Sequence, residues 1–159
     1  MSVSLICVGK LKEPFYFQAA EEYRKRLKRL MPVEVIELPD QREPAAPSPA
    51  LNEEVMRREG EAILKRIPPQ AYVIALCIQG KAIDSEALAQ KLAGLFTQGK
   101  SEIVFIIGGS LGLHSSVTQR ADFHLSMSPM TFPHQLARVM LLEQLFRAAK
   151  INANERYHK

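Results

Sequence analysis

The order of apolar segments predicts an α/β protein, a mostly parallel sheet flanked by helices. Three observations carry that expectation. Short β-like runs alternate with helical ones along all 159 residues. The runs at 72–78 and 103–107 are apolar on both faces, as strands of a sheet covered on both sides must be. No repeat, low-complexity tract or linker divides the chain, so residues 1–159 read as one domain.

The elements follow in order. Val3 to Val8 is an apolar run ahead of Lys10 and Lys12, too short for a signal peptide, and reads as a first, buried strand. Pro14 to Leu30 reads as a helix, because Tyr16, Ala20, Tyr23, Leu27 and Leu30 recur every three or four residues. Val33 to Leu38 is a second strand. The prolines at 39, 44, 47 and 49 make 39–50 a loop. Leu51 to Ile67 is a polar helix with Val55, Met56, Ile63, Leu64 and Ile67 on its inner side. Tyr72 to Ile78 is a third strand, and Asp84 is placed to cap a helix running to Thr97. Glu102 to Ile107 is a fourth strand. A short helix at 115–121 leads to a strand at 123–125, and a last helix runs from His134 to Lys150.

Composition narrows the function classes. No apolar run approaches the roughly 18 residues that span a bilayer, so a cytoplasmic protein is expected. Cys7 and Cys77 sit in β-like runs and read as inert buried thiols. The four histidines form no ligand pair, so no metal is expected. The net charge is +4, and its distribution says more than its size. Residues 1–31 hold seven Lys/Arg against three Asp/Glu, an excess of four, mostly in Arg24 to Arg29. That run is either a solvated helix face or a patch for RNA phosphates.

Open α/β sheets bind ligands outside the carboxyl ends of their strands. Three segments are expected there: Gln79-Gly80-Lys81, Gly108-Gly109-Ser110-Leu111-Gly112, and Ser126 through Phe132. The glycine turn differs from a dinucleotide fingerprint. It follows a late strand, lacks the Gly-x-Gly-x-x-Gly spacing, and has no acidic residue at the distance a ribose requires. The third segment carries no charge, two methionines, three hydroxyls and the stiffening Pro129. It is either an ordinary strand-to-helix connection or an apolar slot with backbone donors for a purine. The last helix is apolar nearly all round, at Leu136, Val139, Met140, Leu141, Leu142, Leu145 and Phe146. Such a helix is buried on both sides. Its second side meets another subunit, or the helix is a central one in a single core.

Several stretches together resemble the bacterial ribosomal RNA large-subunit methyltransferase H family over nearly the whole chain. They are Val8-Gly9-Lys10, Gly80-Lys81 with Ser85-Glu86 and Ala89, Ile106 through Leu113, and Ser126 through Arg138. Leu142 through Ala148 and the ending Tyr157-His158-Lys159 complete the match. The resemblance implies a SPOUT-type α/β fold with a deep C-terminal trefoil knot and a homodimer. It implies S-adenosylmethionine as cofactor and N3-methylpseudouridine in a stem-loop of 23S rRNA as product, made on assembled ribosomes. The family's cofactor contacts carry over onto Leu76, Gly108, Met127, Ser128, Pro129, Met130, Thr131 and Phe132.

For chemistry, Arg147, Tyr157 and His158 are the candidates on that resemblance. Arg147 would hold a phosphate or ring oxygens, Tyr157 would stack on the base, and His158, of a type that ordinarily titrates near neutrality, would take the proton. Against those roles stand blander ones: Arg147 solvating a helix end, and a frayed Tyr-His terminus. A polar terminus makes few buried contacts, so residues 157–159 are expected to matter little for stability. Two other functions compete: a non-catalytic ribosome-binding or assembly factor, and a nucleotide-binding oxidoreductase. The uncharged segment 126–133 argues against the first, and the missing first-strand fingerprint against the second.

Overall fold

The computed structural model describes residues 2–159 and contains five strands and five helices in alternation. These are β1 (Ser2–Val8), α1 (Pro14–Leu27), β2 (Val33–Leu38), α2 (Pro49–Arg66), β3 (Tyr72–Ala82), α3 (Ser85–Thr97), β4 (Glu102–Ile107), α4 (Ser115–Arg120), β5 (Phe123–Ser126) and α5 (His134–Asn152). The sheet order is β2-β1-β4-β3-β5, and every neighbouring pair is parallel.

Strand alternation sorts the core into two layers. Val3, Leu5 and Cys7 of β1 and Ile103, Phe105 and Ile107 of β4 face one side, packing with residues of α1, α3 and α5. Ile6 and Val8, with Val104 and Ile106, face the other side and meet α2 and α4. Both faces of the central strands are therefore apolar, which is why β1 and β4 read as continuous hydrophobic runs.

Helix ends follow local chemistry. Asp84 accepts the Ala87 amide at 2.7 Å and starts α3, as its position in the sequence suggested. α2 begins two residues before the expected Leu51, because Ser48 accepts the Leu51 amide at 3.2 Å and Pro49 occupies the first turn. A proline there costs no hydrogen bond. α1 stops at Leu27, and Leu30 belongs to a turn in which its amide donates to the Leu27 carbonyl at 2.9 Å.

β3 runs four residues past the expected Ile78. Leu76 and Lys81 both lie opposite Leu125 of β5, so residues 77–80 bulge out between them. Gln79-Gly80-Lys81 is thus strand and bulge, and not the free strand-end loop read from the sequence.

α5 packs on both α1 and α3. Leu141, Leu142, Leu145 and Phe146 are buried in the core, whereas Val139 and Met140 are only half-buried. Arg138 is 2% exposed. It donates to Glu37 Oε2 at 2.6 Å and to the Gly9 carbonyl at 2.9 Å, tying α5 to β2 and to the end of β1.

Candidate active site

A cleft of about 540 Å³ opens at the ends of β4 and β5, beside the point where β3 leaves its ladder to bulge. This is where a parallel sheet leaves room between diverging loops, and the volume is in the range of small-molecule sites. Leu76 to Ile78 form one wall, Ile107 to Leu113 the second, and Leu125, Met127, Ser128, Met130, Thr131 and Phe132 the third. Pro133, His134 and Ala137, at the start of α5, close the end. Of the eight residues expected to line a cofactor site, seven converge here, and Pro129 alone does not face the space. Ile78 and His134, which the sequence reading passed over as site residues, also line it. The His134 signal was available: it follows Pro133 at the first helical position of α5.

The chemistry of the lining is neutral. It contains no Asp, Glu, Lys or Arg; its only titratable groups are His134 and Cys77. Burial, then the neighbouring Arg138, hold the His134 pKa below the usual histidine value, against a smaller upward pull from Asp40. The imidazole is therefore neutral at pH 7. Burial raises the Cys77 thiol, which keeps it protonated. The segment after β5 is shaped by its own hydroxyls. Ser126 Oγ donates to the Ile78 carbonyl at 3.0 Å, and the Met130 amide donates to Ser128 Oγ at 3.0 Å. The amides of Ser128, Thr131 and Phe132 make no hydrogen bond among the described residues, so they remain as donors for something else.

The glycines of the turn after β4 do different work. At Gly108 a Cβ would stand 2.9 Å from the Gly112 carbonyl group and from Leu113 Cδ2, so glycine there lets the turn close on itself. Gly112 is the open position. Its φ is +89°, it lines the cleft, and a Cβ there would meet no atom within 4 Å.

Arg147, Tyr157 and His158 also come together, in a second cluster. Just past α5, Asn154 takes φ +54°, and the Glu155 amide returns to the Lys150 carbonyl at 3.0 Å. That turn sends the tail back along the helix. The Tyr157 ring stands edge-on to Phe146 with centroids 4.8 Å apart, and its hydroxyl donates to Glu143 Oε1 at 3.1 Å. Arg147 donates to the same oxygen at 2.6 Å and lies 4.8 Å from the Tyr157 ring centroid. The terminus is therefore docked, and the expectation of few contacts is corrected. Glu143, the hub, was missed by sequence reading; its spacing of four from Arg147 is the signal that could have shown it.

Hydrogen-bond roles define the His158 ring. Arg147 carries only donors, so its 3.3 Å contact makes His158 Nδ1 the acceptor and leaves the ring proton on Nε2. Nε2 lies 3.6 Å from Glu86 Oε1. The Tyr157 pKa is raised, by burial first and then by its bond to Glu143, so the phenol stays protonated at neutral pH.

The two groups do not meet within one chain. Ala137, at the cleft, and Arg147 are ten residues apart on α5, about 15 Å along the axis. Between them, Val139, Met140, Glu143 and Gln144 line a groove of about 520 Å³ bounded by Tyr23 and Leu88. It shares Leu125 and Met127 with the cleft.

The all-parallel α/β fold is similar to that of a probable methylase family protein from Haemophilus influenzae. That structure superposes with a TM-score of 0.56 over 99% of this chain and 70% of its own, at 15% identity, a likeness of fold alone. A family model described as predicted SPOUT methyltransferase matches residues 1–158. A protein named ribosomal RNA large subunit methyltransferase H, from Bifidobacterium animalis subsp. lactis, is 50% identical over the full length of both chains. The chain belongs to the SPOUT methyltransferase family.

Proposed function

We propose that this chain transfers a methyl group from S-adenosylmethionine to N3 of a pseudouridine in a stem-loop of 23S rRNA. In this reading it acts as a single-domain cytoplasmic homodimer on assembled ribosomes, with a C-terminal trefoil knot. The observation that carries the reading is the uncharged cleft built from Leu76, Gly108 and the segment after β5. The full-length relative named for ribosomal RNA methylation supports the substrate class.

The lining suits the cofactor. Its apolar walls at Leu76, Leu125, Met127 and Phe132 fit the faces of a purine, and the unpaired amides of Ser128, Thr131 and Phe132 fit its edge. Gly112 leaves open space beside the backbone. When bound, the cofactor supplies a methyl already activated on a sulfonium centre. The chain must then hold the partners in line, exclude water, and manage the proton that N3 carries. Arg147, fixed by Glu143, presents a cation to the anion that develops on the pyrimidine ring. Tyr157 offers a ring for the base to stack on. His158 accepts a proton only at Nδ1, so it must first part from Arg147.

Such a division of labour requires two chains. A two-fold axis crossing α5 would set two copies of the helix antiparallel. It would bring the tail of one subunit towards the cleft of the other, with the half-buried Val139 and Met140 covered between them.

The test is nucleoside mass spectrometry of 23S rRNA from ribosomes of a strain lacking the gene, before and after incubation with protein and S-adenosylmethionine. A new N3-methylpseudouridine supports the reading, and its absence while the cofactor binds calorimetrically overturns the substrate. Mixing subunits lacking 157–159 with cleft-blocked Ala137→Phe subunits should restore activity that neither has alone. Failure to restore it argues against the shared site.

A further inference from the structure

A groove of about 410 Å³ runs between the C-terminal half of α1 and the end of α5. Lys25 and Arg26 of α1, Arg29 of the turn that follows it and Lys150 of α5 line it, against the two carboxylates Glu22 and Glu155. Both acids are already engaged: Glu22 takes Arg26 at 2.9 Å, and Glu155 takes Lys150. Lys25 and Arg29 have no acidic partner among the described residues, and both are exposed.

The wall of this groove is shared with the tail cluster. Phe146 lines it, the Arg26 guanidinium stands 5.9 Å from that ring, and Tyr157 packs on the same ring at 4.8 Å. A polyanion lying in the groove would be delivered to Tyr157 and His158. The sequence reading left the basic run of α1 open between a solvated face and a phosphate patch. Two unpaired cations in a groove that continues into the tail cluster favour the second.

We infer that this groove holds the RNA phosphates beside the target nucleotide, with Lys25 and Arg29 as the cations that neutralise them. The inference rests on the ribosomal RNA reading above. It requires RNA to release counterions at these two side chains, which gives it a signature of its own. The logarithm of the binding constant falls with the logarithm of salt by about 0.7 to 0.9 for each phosphate neutralised.

The experiment measures binding of the full-length protein to ribosomes from a strain lacking the gene, across monovalent salt at constant magnesium. For Lys25→Gln/Arg29→Gln the salt slope should be shallower by about 1.5, and binding near 0.1 M salt weaker by about tenfold or more. The KM for ribosomes should rise in parallel, with S-adenosylmethionine affinity and melting temperature unaltered. Lys65→Gln/Arg66→Gln, on α2 in the opposite layer, should keep the wild-type slope. A double variant with the wild-type slope and KM overturns the inference, and so does a control that changes the slope equally. If the wild type neither binds nor methylates ribosomes, the RNA reading itself falls. Normal wild-type methylation with an unaltered groove variant removes the groove assignment alone.

Discussion

Replacing Tyr157 by Ala should cost stability, although the residue is third from the end of the chain. Three contacts disappear. The edge-to-face pair with Phe146 at 4.8 Å is worth about 0.5–1.5 kcal/mol. The Arg147 guanidinium over the ring contributes about 0.5–1 kcal/mol at a partly exposed site. The hydroxyl bond to the Glu143 carboxylate adds about 1 kcal/mol. Against this gross loss of about 2–3.5 kcal/mol, the released tail regains backbone freedom worth about 1 kcal/mol. The net loss is about 1–2.5 kcal/mol. A chain of this size shifts its Tm by about 2–4 °C per kcal/mol, so Tyr157→Ala should melt roughly 2–10 °C lower. Tyr157→Phe, which keeps the ring, should lose about 1 kcal/mol or less. Scanning calorimetry at one fixed protein concentration measures both, since dimerisation would otherwise move Tm. A Tyr157→Ala protein melting within 1 °C of wild type would refute the docked tail. The two variants also separate roles: if the ring stacks on the base, Phe preserves the KM for ribosomes and Ala raises it.

The other expectations concern the cleft and the helix beside it. Val139→Asp charges the half-buried groove on α5 and should give a folded monomer by sedimentation; Leu142→Asp, at a fully buried position, should unfold the chain instead. A wild type that sediments as a monomer at micromolar concentration would remove the dimer. Cys77 lines the cleft, so alkylation by iodoacetamide at pH 8.5, read by mass spectrometry, should slow when S-adenosylmethionine is present. Cys7, buried and with its thiol pushed up to about 12, should stay unmodified either way; equal Cys77 rates with and without cofactor would place the cofactor elsewhere. Because the folded His134 pKa lies below the unfolded one, His134 contributes nothing to the pH dependence where both states are neutral. Below about pH 6.5 the unfolded chain takes up a proton that the native chain resists, and stability falls. His134→Gln should therefore lose less stability than wild type between pH 7 and 5.5 in urea titrations, and parallel losses would refute the buried neutral imidazole.

Most of the strands were legible as short runs of β-branched and other apolar residues between breakers. β2 and β4 match the sequence reading residue for residue. Errors arose where one signal has two meanings. Pro47 and Pro49 read as loop, yet a proline in the first turn of a helix costs nothing, so α2 begins at Pro49. The last residues of β3 are polar and pair with β5 only after a four-residue bulge. No periodicity announces a strand that skips its ladder and resumes, so Gln79-Gly80-Lys81 looked like a free loop. The course of the tail had a readable cue in Asn154, one of the few residue types that accepts the left-handed region closing α5. Its consequence, a ring returning to Phe146, depends on where that turn points in space.

The site was legible in its parts and illegible in its distances. An uncharged segment after β5 and a glycine turn after β4 both stood out by composition, and both line the cleft. Composition could not tell that Gly108 serves the turn and Gly112 leaves the room, because the difference lies in which backbone atoms approach. Nor could it show that Arg147, Tyr157 and His158 gather around Glu143 about 15 Å along α5 from the cleft. In the proposed homodimer the outer face of α5 would have a role: Val139 and Met140, half-buried between the cleft and the tail cluster, would be covered by the partner's copy of the helix. Reversed in direction, that copy would lay one subunit's tail against the other's cleft, with the apolar excess read in the sequence as the surface that aligns them.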